Sequence, residues 1–313
     1  MSLQSPRHRP VRARAFAVLT ALATVAGIGV AAAPVVHANT ETGKVTFIAD
    51  GDTIDVDVAG DGTSKPVRVR IAGIQAMELH VYSQTLSKIR GECWGPEATV
   101  RLSQLLKGKT VRLTSRHTSS NSLGRELRHV AFRSNGTWVD VGRIMIRDGM
   151  VIPDVNKVEY SKNKQYMATA QWSAAHRKGI YGDSDHCGYG PAQKQSFRLS
   201  VKWKGGGSVN GEYLKITNNG STSLSLGRWW VRDNALRRYT FPSTARVAPH
   251  GSIYVHPGKG RNTSTHFYWG LSAAIFEDVT SSPTYLGDGG YLFDPQGDLR
   301  RWQMYPCRWS CSS

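Results

Sequence analysis

Two acids, Asp50 and Asp52, flank Gly51 inside a run that alternates apolar and polar residues on both sides, from Val45 to Val58. That pattern predicts two strands meeting at a tight Asp-Gly corner. A third alternating run, Val67 to Ile74, would bring Arg70 and then Glu78 to the same end of a sheet. Carboxylates hold a hard cation, a guanidinium clamps two phosphate oxygens, and a free Glu can take a proton from water. Gathered at one place, the four residues suit phosphodiester hydrolysis. Each alone has a plainer reading: Asp52 closes a turn, Arg70 lies along a solvated strand face, and Glu78 opens a loop.

The elements that must position them are strands first, then helices among strands. A polar stretch to Gly91 reads as a loop. Pro96 to Lys107 has apolar residues at helical spacing, with Pro at its start and Gly108 just past its end. Thr110 to Ser115 and Leu127 to Arg133 read as strands, and Asn135-Gly136 as a hairpin turn. Val139 to Asp148 and Tyr160 to Lys178 read as helices, each followed by Gly.

The chain has 313 residues, enough for two domains with separate cores. Its net charge of +17 and pI near 9.9 favour a polyanionic partner, above all nucleic acid. At the N-terminus, Arg7, Arg9, Arg12 and Arg14 precede a weakly apolar run from Ala15 to Ala33. Residues 1–38 therefore read as a signal peptide, with an uncleaved membrane anchor as the alternative. Removing them takes four Arg and no acid, lowering +17 to +13. The mature chain is then expected to be secreted, with no stable membrane insertion. Cys93, Cys187, Cys307 and Cys311 suit two disulfides in an exported protein. Three pairings are possible. The preferred one joins Cys93 to Cys187 and leaves Cys307–Cys311 to pin the tail. Zinc is the alternative, although the spacings do not resemble a finger or ribbon.

The stretch from about Lys44 to about Cys187 resembles the staphylococcal-type thermonucleases, whose core is an OB-fold barrel with helices. The resemblance is carried by D-G-D-T (Asp50 to Thr53), R-I-A-G-I-Q-A-M-E (Arg70 to Glu78), W-G-P-E-A (Trp94 to Ala98) and L-G-R (Leu123 to Arg125), in the family's order. It implies a nuclease domain over residues 39–188. Asp52 would be the principal metal-binding carboxylate, with Asp50 behind it. Arg70 and Arg125 would clamp the phosphate, and Glu78 would be the general base for the attacking water. The implied cofactor is a divalent cation, calcium with magnesium as the alternative. The implied reaction cleaves DNA or RNA between phosphorus and the 5′ oxygen and leaves 3′-phosphates. Two departures stand out. Gln75 occupies the place of a second metal-binding Asp, and one negative charge is lost. Ala76 follows, where the family contributes only a backbone carbonyl. Leu123 replaces a Tyr near the substrate.

Residues 189–196, polar and broken by Gly and Pro, read as a linker. From 197 to 313 many short alternating runs predict an all-β sandwich. This half resembles the lamin tail domain, an immunoglobulin-like fold, through G-E-Y-L-K-I-T-N-N-G (Gly211 to Gly220), L-G-R-W-W-V-R-D (Leu226 to Asp233), Y-T-F-P (Tyr239 to Pro242), A-P-H-G-S (Ala248 to Ser252) and G-D-L-R-R-W (Gly297 to Trp302). No catalytic set is visible there. Trp229, Trp230, Arg232, Arg237, Arg238 and Tyr239 could form a nucleic-acid surface, but tryptophans in the core beside solvated arginines is the favoured reading. The half is expected to bind or tether, its partner unspecified, so that deleting it would spare turnover. The alternative for the whole chain is a decayed nuclease fold that only binds nucleic acid or serves as a surface adaptor.

Overall fold

The structure, a computed structural model, describes residues 39–79, 91–182, 186–187, 196–235, 237–276, 278–284, 286–307 and 311–312. The expected signal peptide, most of the expected loop before Gly91 and most of the expected linker lie outside these residues.

The first half runs β1 (Asn39–Ile48), β2 (Thr53–Val58), β3 (Val67–Ile71), β4 (Ile74–Ala76), α1 (Gly95–Leu106), β5 (Thr110–Ser115), β6 (Asn121–Ser122), β7 (Arg125–Ser134), β8 (Thr137–Asp140), α2 (Val141–Arg147), β9 (Val151–Pro153) and α3 (Asn163–Ala175). Strands β3, β2, β1, β5 and β7 pair in that order, and β3 pairs again with β7 in parallel, from Val69 with Glu126 to Ile71 with Arg128. That last pairing closes a five-stranded barrel and leaves no free edge on it. Alternation along the strands sends Val45, Ile54, Val56, Val69, Val111, Leu113 and Val130 inward, all buried. Helix α1 adds Ala98, Leu102 and Leu106 at helical spacing.

Two helix boundaries differ from the sequence reading. Residues 137–140 form strand β8, paired with β7, and α2 begins only at Val141. Asp140 ends the strand and caps the helix, its side chain accepting from the Arg143 amide at 3.0 Å. The Tyr160 to Lys178 pattern divides into a 3₁₀ turn at Tyr160–Lys162 and α3. The Asn135-Gly136 turn is present, with both residues at positive φ.

The second half runs β10 (Phe197–Lys202), β11 (Tyr213–Asn218), β12 (Leu224–Ser225), β13 (Trp230–Arg232), β14 (Arg238–Thr240), β15 (Arg246–Val247), β16 (Ser252–His256), β17 (His266–Tyr268), β18 (Asp288–Phe293) and β19 (Leu299–Tyr305). One sheet is ordered β10-β11-β16-β17, and the other β14-β13-β18-β19. Leu199, Leu214, Ile216, Trp229, Val231, Ile253, Val255 and Leu292 fill the space between them.

The two halves share a core. Trp230, Tyr291, Phe293, Leu299, Trp302 and Met304 belong to the same buried apolar cluster as Met77, Trp94, Ala174 and Tyr181 of the first half. Strand β18 records this directly, because all six of its residues are buried. A strand at the surface of a sandwich would alternate. Here one face meets the other sheet and the opposite face meets the barrel side. Both expected disulfides are present, Cys93–Cys187 and Cys307–Cys311, and no cysteine is left for zinc. The first spans 94 residues of sequence. In the chain-entropy view a loop of that size stabilises the fold by roughly 4–5 kcal/mol. Among the described residues no helix is long and apolar enough to cross a membrane.

Candidate active site

The β1–β2 corner is built to be small. The amides of Ala49 and Asp50 both donate to the Thr53 carbonyl, and the Asp52 amide donates to Asp50 Oδ1 at 3.0 Å. A Cβ on Gly51 would lie 2.6 Å from Ala98 Cβ and 2.8 Å from Ala76 Cβ. Only glycine lets the corner tuck between α1 and β4. The fold thereby drives Asp52 inward until it is 1% exposed.

Each Asp52 oxygen has work. Oδ1 accepts from Arg70 Nη1 and from the Thr53 hydroxyl, and Oδ2 accepts from the Ala76 amide at 2.7 Å. Arg70, on β3, also donates through Nη2 to Gln75 Oε1 and to the Ile74 carbonyl at 3.3 Å. One buried guanidinium thus bridges two of the residues expected to bind metal. Burial pushes the Asp52 carboxyl up to about 7; Arg70 opposes that rise and the neighbouring Asp50 adds to it.

Arg125 begins β7, after a two-residue turn in which Leu123 and Gly124 both have positive φ. Leu123 is 92% exposed, so nothing in the fold uses its side chain. Arg125 Nε donates to the Ser122 carbonyl at 3.1 Å, and Nη1 reaches Thr53 Oγ1 at 3.5 Å. Arg70, Asp52, Thr53 and Arg125 therefore form one connected chain at the barrel rim. Thr53 was not singled out from the sequence, although it is the last residue of the D-G-D-T motif.

Glu78 stands just beyond β4. Its amide donates to Glu92 Oε2 at 3.0 Å, and its carbonyl accepts from the Glu92 amide at 2.7 Å. Partial desolvation, then Asp50 and Glu92, push its carboxyl above the ordinary value, while Arg70 and Arg232 pull it back. The last of these comes from the second half. Arg232 is 1% exposed, and its Nη1 lies 3.2 Å from Met77 Sδ. Its Nη2 has no hydrogen-bond partner among the described residues. The expectation of a solvated Arg232 is thus corrected: the side chain is buried behind the site. Arg238 completes the link, pairing with Glu92 Oε1 at 3.4 Å. Sequence reasoning missed Glu92, Arg232 and Arg238 as site residues because they meet across 140 or more residues of chain. The two tryptophans fall where they were expected, with Trp229 and Trp230 buried. At the seam, Glu92 borders a cavity of about 710 Å³ whose other walls include Arg228, Trp230 and Arg238.

The donor set can be weighed against a hard cation. Asp50, Asp52, the Gln75 amide oxygen and the Ala76 carbonyl are all oxygen donors, the type such a cation takes. A buried carboxylate held near 7 with one guanidinium partner is under-compensated, and a divalent cation would offset that. The set fits in kind, with one carboxylate fewer than an all-Asp version.

The sandwich that supplies Arg232 and Arg238 is the part with a recognisable relative. Residues 198–306 match the Lamin Tail Domain family. This immunoglobulin-like lamin tail domain contributes β10 to β19 almost entire, with Arg232, which acts on Glu78, and Arg238, which pairs with Glu92. Comparison with curated proteins finds no match to the chain.

Proposed function

We propose that the chain is a secreted, divalent-metal-dependent nuclease, an OB-fold nuclease domain (39–188) joined to the lamin tail domain. The observation that carries this reading is the connected rim of Arg70, Asp52, Thr53 and Arg125, with Glu78 on the next turn of chain. Two guanidiniums fixed before substrate arrives are what a phosphoryl transition state requires. Arg70 is held by Asp52 and Gln75, so its position costs no rearrangement at the moment of reaction. Among the described residues Arg125 is held by a carbonyl and a hydroxyl, which leaves donors for a phosphate oxygen. Glu78 takes a proton from water as the water oxygen bonds to phosphorus. The P–O5′ bond breaks, the departing oxygen gains a proton, and a 3′-phosphate remains. A calcium or magnesium ion held by Asp52, Gln75 and the Ala76 carbonyl, with Asp50 behind, would polarise the phosphoryl oxygen. Two disulfides suit an oxidising, extracellular setting.

The test is cleavage of supercoiled plasmid by the purified chain with calcium, with magnesium and with chelator, beside Glu78→Gln. Metal-dependent nicking that falls at least a hundredfold in Glu78→Gln supports the reading. Equal cleavage by the two proteins would remove Glu78 from the mechanism. A second reading has its own observation. Arg70 already engages both Asp52 and Gln75, which is also how a purely structural ion pair would look. No cleavage with any metal, together with retained plasmid binding, would favour that decayed, binding-only protein.

A further inference from the structure

The outer face of the β10-β11-β16-β17 sheet has no part in the site above. Strand alternation sends Phe197, Leu199, Leu214, Ile216, Ile253, Val255 and Phe267 into the sandwich core. The residues between them face outward and are exposed or half-buried, Arg198, Lys202, Lys215, Tyr254, His256 and His266 among them. These four strands contain no Asp or Glu. The acid next to them, Glu212, is buried, and its Oε2 accepts from the amides of Ile275 and Phe276. Its charge is spent inward.

The face is also stiff. Tyr254, His266, His256 and Tyr268 stack in succession across β16 and β17, at centroid separations of 4.9, 5.2 and 5.1 Å. His256 is tied by one nitrogen to the Asn210 carbonyl at 2.8 Å and by the other to His266 at 2.9 Å. Gly260 closes the far end, where a Cβ would lie 2.4 Å from the Tyr268 ring. With ring faces covered by one another, the ladder does not offer its faces to bases. Lys202 and Lys215 lie over the Tyr213 and Tyr254 rings, at 5.2 and 5.7 Å from the centroids, which holds their ammonium groups near the sheet. Strand spacing and rise make the face roughly 14 Å by 20 Å.

We infer that this face binds the sugar-phosphate backbone of a polynucleotide without reading its sequence. Lys, Arg, Ser, Thr and Tyr are the side chains that contact phosphate oxygens, and this sheet presents them without a competing carboxylate. The inference takes only the identity of the polymer from the nuclease reading. It gives the lamin tail domain a second surface, opposite the one that meets the barrel.

The experiment uses the full chain in chelator and a fluorescein-labelled 20-base-pair DNA duplex of mixed sequence, with anisotropy read over a salt series. The variant carries Arg198→Gln, Lys202→Gln and Lys215→Gln together. Binding about tenfold weaker at moderate salt is expected, with the slope of log K against log salt reduced by about 2–3. Unchanged affinity and slope overturn the inference. So does displacement of the duplex by poly(glycerol phosphate) at equal phosphate concentration, which would assign the face to wall polymers instead. A wild-type chain that binds with the larger slope in chelator, yet never cleaves the duplex once calcium or magnesium is added in excess, would sink the nuclease reading and leave this one standing.

Discussion

The barrel rim and the outer sheet of the lamin tail domain handle positive charge in opposite ways. At the rim Arg70 is 7% exposed and meets a carboxylate that is 1% exposed. On the outer sheet Arg198, Lys202 and Lys215 are half-buried or exposed, the two lysines lie over rings, and none forms an ion pair among the described residues. A buried charge must be paired, and pairing fixes its geometry. An exposed, unpaired charge keeps its reach but fixes nothing, and salt weakens it. On the proposed reading, the rim would act on one bond and the sheet would hold a long polymer near it.

The most damaging way to break this comparison is to remove residues 197–313. On the sequence reading alone, turnover would survive. The shared core says otherwise, because Trp230, Tyr291, Phe293, Trp302 and Met304 all pack in the cluster that contains Met77 and Trp94. Each such side chain contributes about 1.5–3 kcal/mol when buried, so losing all five removes an amount comparable to the whole stability of an ordinary domain. The truncated chain is expected to lose its cooperative thermal transition. A sharp, reversible melt followed by circular dichroism would show instead that the barrel stands alone.

Arg70→Met comes next. It leaves Asp52 buried and unpaired, which costs about 3–5 kcal/mol. Urea unfolding should register that loss, whereas Lys215→Gln on the outer sheet should move the midpoint by less than about 0.5 kcal/mol. Equal effects would erase the distinction between the two regions.

The smallest effect concerns pH. Asp154 follows β9 near the seam, and burial pushes its carboxyl up to about 6 from an ordinary 3.8. The folded state therefore holds this proton more tightly than the unfolded chain does. Stability from this group is present below about pH 3.8 and is lost as pH rises toward about 6. Asp154→Asn should melt several degrees above wild type at pH 7 and close to it at pH 4. A constant difference at both pH values would assign the effect to packing rather than to the proton.

Much of the rim was legible in the sequence because it is local. Asp50 and Asp52 share one corner, and the alternating run after it carries Arg70 and then Glu78 toward them, whereas Gln75 and Arg125 were marked only by the motif resemblance. Element types near Val139 were harder. The apolar spacing of Val139, Val141 and Met145 fits a helix, and only Asp140, as a cap, marks where the helix starts. The three-residue β17 escaped notice because its parallel pairing with β16 has no turn to announce it. Arg232 was misread for a related reason. In its own strand it looks like a solvated residue, and what buries it is Met77, in a segment far earlier in the chain.

Strand β18 has one more consequence, in the order of assembly. Its six buried residues complete two cores at once, yet they are synthesised long after β1, β2 and β3. The barrel's outer cover is thus missing while the first half of the chain emerges. Contacts this distant in sequence slow folding, because the ends of a long loop must meet before any burial rewards them. A chain that completes itself so late would stay open, with its apolar seam uncovered, until its last third has been made.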